Sequence, residues 1–310
     1  MEYAILFPGQ GSQFVGMGAE LFSKRPDLLG DRADQLLGWS LRESCLEGDI
    51  DLLTRTEIAQ PAIFAISYAL WEEAAPHLPA PVAAAGHSLG EYSAITAAGI
   101  LGYPDALRVV AERGRAMADA AASAPSGMAA LLGADRETAE IVSAQRRNSG
   151  GRLYVANVNA PGQIVVAGSQ TDIDWIEENR SEWGIRRVIP LKVAGAFHTP
   201  FMEPASRRLS TVLDGLTLKP PLFDVYANTT GWPVAIGGIE QTLVNQVTEP
   251  VLFADTLIHM WERGIRGFLH VGPGDVTAGL ARRTLPDATV LAVSTSSDIG
   301  PAADSLGTMG

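Results

Sequence analysis

Short apolar runs alternating with longer stretches of helical spacing are what most restrict the folds open to this chain. Tyr3 to Phe7 reads as a strand. Glu57 to Trp71 reads as a buried helix, with apolar residues at Ile58, Ala62, Ala65, Ile66 and Ala69, and Val82 to Ala85 as a second strand. Leu89 to Ile100 and Pro104 to Ala122 follow as two helices, parted by the Gly and Pro of Leu101-Gly102-Tyr103-Pro104. Parallel strands need a long crossover that a helix supplies, so this order predicts an α/β protein with a largely parallel sheet.

From Met128 the order changes. Met128 to Leu132 is a predicted strand and Asp135 to Gln145 a helix. Tyr154 to Val158 and Gln163 to Ala167 are strands joined at Asn159-Ala160-Pro161-Gly162, Thr171 to Trp183 is a helix, and Arg187 to Val193 a strand. A β-α-β-β-α-β order is that of the ferredoxin-like unit. It predicts a small domain at 125–195 inserted into a large one made of 1–124 and 196–310. The remainder reads as helices over Pro204 to Leu213, Glu240 to Val247 and Phe253 to Arg263, with strands at Asp224 to Asn228 and Gly267 to Val271. The Ser-, Gly- and Ala-rich tail from Ser294 is expected to be loosely held.

Composition removes several classes of function. With 46% hydrophobic and 19% charged residues the chain can bury a core. A net charge of -12, from 35 acids against 23 bases, argues against a nucleic-acid partner, which would demand clustered Lys and Arg. The single cysteine, Cys45, excludes an internal disulfide and a cysteine-rich metal site and points to a reducing compartment. Cys45 itself reads as a small buried hydrophobe. Met1 to Pro8 lacks the basic start and long apolar core of a signal peptide. The longest uncharged stretch, Leu153 to Thr171, carries Asn157, Asn159, Pro161 and Gln163, polar groups that lipid would leave unsatisfied. A cytoplasmic protein with no membrane span is expected.

Gly86-His87-Ser88-Leu89-Gly90 fits the G-x-S-x-G nucleophile elbow, a sharp turn from strand to helix that lifts a serine hydroxyl clear of the sheet. An apolar strand precedes it and a helical pattern follows, as the motif requires. A serine at its free pKa is a weak nucleophile and needs a base, usually histidine. His87 would turn away from Ser88, His77 lies in a proline-rich loop and His259 rides mid-helix, so these three read as surface or packing residues. His198 and His270 both follow predicted strands, where open α/β sheets place their sites, and the residues alone do not choose between them. The loop Pro8-Gly9-Gln10-Gly11-Ser12-Gln13 fails as a phosphate-binding loop, having no Lys-Ser/Thr and Phe14 in place of a third glycine. It reads either as a tight loop presenting backbone N–H groups to Ser88 or as a plain Gly-rich connection.

These blocks together resemble the malonyl-CoA:acyl carrier protein transacylase family. The likeness runs from Phe7-Pro8-Gly9-Gln10-Gly11-Ser12-Gln13 through Gly86-His87-Ser88-Leu89-Gly90-Glu91-Tyr92, Arg113-Gly114, Asn157-Val158-Asn159-Ala160-Pro161-Gly162-Gln163 and Gly195-Ala196-Phe197-His198 to Val271-Gly272-Pro273-Gly274. It implies an α/β-hydrolase-like large domain with a ferredoxin-like insert. It also implies Ser88 as nucleophile, His198 as base, the N–H groups of Gln10 and Leu89 as oxyanion hole, and Arg113 as the partner of the substrate's free carboxylate. Gln246 matches the position whose backbone carbonyl orients the histidine, so no triad acid is needed. Against the family pattern, Glu249-Pro250 stands where Asn-Pro is common, Phe253 where tryptophan is common, and His270 where an acid often precedes the Val-Gly-Pro-Gly turn. A structural, hydrogen-bonded role is the expectation for His270.

Without the resemblance, Arg113 would read as a solvated helix charge. With it, the planar guanidinium suits a carboxylate and favours malonyl-CoA over acetyl-CoA as substrate. Asn159 reads either as a gate between the domains or as part of a hairpin turn. The expected activity is transfer of malonyl from malonyl-CoA, through a Ser88 ester, to the phosphopantetheine thiol of an acyl carrier protein, in fatty acid or polyketide synthesis and with no tightly bound cofactor or metal. The rivals are an acyl hydrolase, an acyltransferase for another acyl group and a non-catalytic carrier-docking module. Leu89 and Phe197 resemble residues of malonyl-selecting members, and a phenyl ring beside His198 would crowd a methylmalonyl branch. An acidic carrier would need a local basic surface on this acidic chain, for which Arg282 and Arg283, with Arg186, Arg187 and Lys192 opposite, are the candidates.

Overall fold

The computed structural model describes residues 2–308. Among these residues nine strands occur in the order β1 (Tyr3–Phe7), β2 (Ala83–Gly86), β3 (Ser126–Leu132), β4 (Leu153–Ala160), β5 (Gln163–Ser169), β6 (Arg187–Pro190), β7 (Asp224–Val225), β8 (Gly267–Val271) and β9 (Thr289–Val293). β1, β2, β7, β8 and β9 form one sheet, ordered β7-β2-β1-β8-β9 with every pair parallel. All five residues of β1 are buried, as a central parallel strand covered on both faces must be. Each large side chain there contributes about 1.5–3 kcal/mol relative to exposure. The helix Thr56–Ala74 is buried around nearly its whole circumference and packs against the helix Tyr103–Ala122. That pair forms one wall of the site.

β3 to β6 make the second sheet, antiparallel and ordered β4-β5-β3-β6. Numbered within the module this is 4-1-3-2 read from the β6 edge, the ferredoxin-like arrangement. The fold is therefore α/β, a large hydrolase-like unit carrying a small ferredoxin-like one. The small sheet is stitched to the large unit through β4: the Val158 N–H donates to the Val251 carbonyl at 2.8 Å, and the Val251 N–H to the Ala156 carbonyl at 2.9 Å. Two register shifts in β4, between Val155 and Asn157 and between Val158 and Ala160, are bulges that re-aim side chains at this seam.

Several elements differ from the sequence expectation. The tail from Ser294 to Thr308 is structured: a Thr295/Asp298 capping box leads into a helix over Ile299–Thr308 that buries Ile299, Ala302 and Leu306. Its small residues conceal a three- and four-residue apolar spacing. β9 and the short helices between Leu21 and Thr54 have too little local pattern to stand out. β6 ends at Pro190, and β7 holds only Asp224 and Val225, because the chain then leaves the ladder toward the site. The β4/β5 turn is Pro161-Gly162 alone, so Asn159 lies within β4. Among the described residues no helix is long and apolar enough to cross a membrane.

Candidate active site

β2 is Ala83-Ala84-Ala85-Gly86, entirely buried, and the chain turns sharply from it into the helix Gly90–Ala97. Small residues make that turn possible. A Cβ on Gly86 would fall 1.8 Å from the Gly90 carbonyl carbon, and one on Gly90 would fall 2.3 Å from the Phe7 carbonyl oxygen. Ser88 at the apex has φ 51°, and the only other non-glycine residue at positive φ among those described is His198, at 59°. Strained backbone at both positions means that the surroundings over-determine them.

The surroundings do so with amides. The Ser88 N–H donates to Asn228 Oδ1 at 2.7 Å, and Asn228 Nδ2 donates to the Gly86 carbonyl at 2.7 Å. Gln246 Nε2 donates to the Ser88 carbonyl at 2.8 Å. His198 Nδ1 bonds the backbone carbonyl of Gln246 at 2.7 Å, which fixes the proton on Nδ1 and leaves Nε2 as an acceptor 2.8 Å from Ser88 Oγ. Burial first, and the positive charge of Arg113 second, hold the imidazole down to about 3, so it is neutral over the ordinary pH range.

Arg113 is buried, not solvated, with 1% exposure. Its Nη1 donates to Gln60 Oε1 at 2.6 Å, and its Nη2 donates to Gln246 Oε1 at 2.8 Å and to Ser88 Oγ at 3.1 Å. Tyr92 lies under the guanidinium with its ring centroid 5.4 Å from Cζ. Burial lowers the Arg113 pKa from its usual value. A buried cation bonded only to neutral groups is poised to take an anion.

Ser88, His198, Arg113 and Gln60 open onto a cavity of about 220 Å³ between the two sheets, which Gln10, Leu89, Asn159 and Phe197 also line. The first loop is pressed against the elbow: a Cβ on Gly9 would meet the His87 carbonyl oxygen at 2.3 Å. The backbone N–H groups of Gln10 and Leu89 have no hydrogen-bond partner among the described residues, and Leu89 caps the helix N-terminus, where such groups are left free. Two unpaired donors beside a serine hydroxyl can hold an oxyanion.

The other histidines are elsewhere engaged. His270 is fully buried behind the site, its Nδ1 bonded to Thr277 Oγ1 at 2.6 Å and its Nε2 to the Gly272 carbonyl at 3.1 Å. His87 bonds Asn159 Oδ1 through Nε2 at 2.7 Å and meets Phe253 edge-on, so Asn159 ties β4 to the elbow. His259 stacks on Trp232, and His77 is exposed. Cys45 is buried, and burial pushes its thiol up to about 12. Arg282 and Arg283 are exposed and do not line the Ser88 cavity. Arg283 Nε donates to the Pro161 carbonyl at 2.9 Å and Arg282 Nη2 to the Val290 carbonyl at 3.3 Å, so Arg283 also braces the β4/β5 turn. Sequence reasoning missed Asn228, Gln60 and Glu91. Asn228 follows a parallel strand at its carboxyl end, a signal that could have found it.

The sequence matches the model of the acyl transferase domain family over residues 5–309. It is 38% identical over 294 residues to the malonyl CoA-acyl carrier protein transacylase of Bacillus subtilis (strain 168), covering 94% of this chain and 93% of that one. The fold matches that of a malonyl-transacylase solved in complex with its type II PKS acyl-carrier protein, with TM-score 0.93 and 32% identity over 98% of this chain and 100% of that one. It also matches an acyl carrier protein S-malonyltransferase from Vibrio cholerae, with TM-score 0.91 and 31% identity over 97% and 100% of the two chains. The elbow, its imidazole and the matched sequence agree: the chain belongs to the acyl transferase family.

Proposed function

We propose that the protein transfers malonyl from malonyl-CoA to the phosphopantetheine thiol of an acyl carrier protein. One observation carries this reading: Ser88 Oγ is 2.8 Å from His198 Nε2 and 3.1 Å from Arg113 Nη2, so a nucleophile, its base and a carboxylate-ready guanidinium meet at one atom. In the first half-reaction His198 Nε2 takes the Ser88 proton as Oγ attacks the thioester carbonyl. The N–H groups of Gln10 and Leu89 hold the resulting oxyanion. The C–S bond then breaks, His198 returns the proton to the coenzyme A sulfur, and a malonyl-serine ester remains. In the second half-reaction the carrier's thiol gives its proton to His198 and attacks the ester, and Ser88 leaves with that proton. Gln246 keeps the imidazole oriented throughout. This chemistry needs no tightly bound cofactor.

Arg113 favours an acyl group with a free carboxylate, and Phe197, buried beside His198, favours malonyl over methylmalonyl. One methyl is worth only about 1–3 kcal/mol of discrimination. Arg282 and Arg283 on one side, with Arg186, Arg187 and Lys192 on the other, would give an acidic carrier a local basic rim on a chain of net charge -12. Lys192 lies at the cavity itself. A reducing, cytoplasmic setting suits a lone buried thiol and a coenzyme A substrate. Intact mass after incubation with a panel of acyl-CoA thioesters tests the reading: a malonyl adduct on Ser88, passed on to carrier protein faster than to water, is the expected result. Rapid loss of the adduct to water alone would instead indicate a hydrolase.

A further inference from the structure

Glu91, the residue after the elbow glycine, is fully buried and takes no part in the transfer steps above. Its Oε2 accepts from Gln246 Nε2 at 2.7 Å and from the Asn228 N–H at 3.2 Å, while its Oε1 has no partner. A half-satisfied buried carboxyl is costly and calls for a reason. Its two partners belong to the residues that clasp Ser88: the Gln246 side-chain amide, whose own backbone carbonyl orients His198, and the backbone N–H of Asn228, whose side chain holds the Ser88 N–H. A carboxamide can present either end, and here every neighbour selects the same orientation. Arg113 can only donate, so it requires Gln246 Oε1; the Ser88 carbonyl can only accept, so it requires Nε2. Glu91 accepts from that same Nε2. Among the described residues no carboxylate bonds Arg113 directly, and Glu91, one amide away, is the carboxyl group that acts on its charge.

We infer that Glu91 is a positioning residue: through Gln246 it orients the Arg113 guanidinium for the acyl carboxylate, and it competes with that carboxylate for Arg113's charge. The inference rests on Arg113 being the carboxylate clamp. Burial raises the Glu91 carboxyl to about 7, partly offset by the bonds from Gln246 and Asn228 and by Arg113. The other charged or titratable groups facing it are Arg113, from the helix Tyr103–Ala122, and Tyr92 on its own helix, whose phenol burial holds far above its usual range. Ionised Glu91, one amide from Arg113, opposes a second carboxylate at that guanidinium, and protonated Glu91 does not. Malonyl loading relative to acetyl loading should therefore fall as pH rises through about 7. Using that ratio cancels the titration of coenzyme A's own phosphates.

The test is the rate of Ser88 acylation from malonyl-CoA and from acetyl-CoA across neutral pH, in wild type, Glu91→Gln and Glu91→Ala, with thermal melting to verify folding. In wild type the malonyl-to-acetyl ratio should fall about tenfold across this range, the order of a moderately screened charge pair. Glu91→Gln keeps the acceptor oxygen, so it should recover most of the malonyl loading lost in Glu91→Ala while showing a ratio that does not vary with pH. A pH-independent ratio in wild type, or an unchanged pH dependence in Glu91→Gln, overturns the inference. So does a folded Glu91→Ala that loads malonyl as wild type does. If Glu91→Ala fails to fold, the Glu91→Gln profile decides alone. Absence of any malonyl preference in wild type at every pH would instead remove the reading of Arg113 on which the inference stands.

Discussion

The pocket around His198 and the turn around His270 contain the same chemical group in similar surroundings. Both imidazoles are buried, and burial holds one down to about 3 and the other to about 4. They differ in what is left over. His270 uses both nitrogens on Thr277 and Gly272, whereas His198 uses Nδ1 on a carbonyl and keeps Nε2 aimed at Ser88 Oγ. A perturbed pKa therefore does not distinguish a base from a structural histidine here. What sets His198 apart is a free Nε2 lone pair within reach of a serine hydroxyl, the geometry a general base needs, and a positive φ that its surroundings must hold.

The largest effect expected is from Ser88→Ala, which should abolish acyl-enzyme formation by intact mass. A covalent malonyl group on that variant would void the comparison by moving the nucleophile elsewhere. Next, His198→Ala should slow loading by roughly 10²–10⁴-fold. His270→Ala should leave loading largely intact while lowering stability by about 1–3 kcal/mol in denaturant melts, because Thr277 and Gly272 lose a buried partner. The reverse ranking would assign the base to the other pocket. For Arg113→Ala, malonyl loading should fall about ten- to a hundredfold while uncharged acyl groups are tolerated better. An unchanged preference would show that the carboxylate is bound elsewhere.

On stability against pH the two pockets should behave alike. Unfolded histidine takes a proton near 6.5, whereas neither folded imidazole does until about 3 or 4. Stability present above about 6.5 should thus be lost as pH falls from there toward the folded values. Thermal melts of His198→Ala and His270→Ala should each show a shallower acid decline than wild type, and a full decline in either would mean that its imidazole is not buried neutral. The smallest effect expected comes from Arg282→Glu with Arg283→Glu. It should weaken transfer to carrier protein and its salt dependence while sparing self-malonylation, and equal loss of both half-reactions would point to a disturbed β4/β5 turn.

The element order, the inserted β-α-β-β-α-β module and the elbow were all legible in the sequence, since each rests on local periodicity or on a turn that only small residues can make. Gly86 and Gly90 are such residues, and the contacts that a Cβ would make there explain their presence. The tail was misread because composition is a weak guide where a few apolar residues at helical spacing find a surface to cover. Residue pattern left His198 and His270 even, and only the family resemblance favoured His198; the tertiary structure set His198 Nε2 against Ser88 Oγ, buried Arg113, and brought Glu91, Asn228 and Gln60 around the site. None of these follows from neighbours in sequence. Arg113 meets Gln60 and Gln246 across 53 and 133 residues, and a polar side chain's protonation and role depend on which partners the packed chain brings within hydrogen-bond reach.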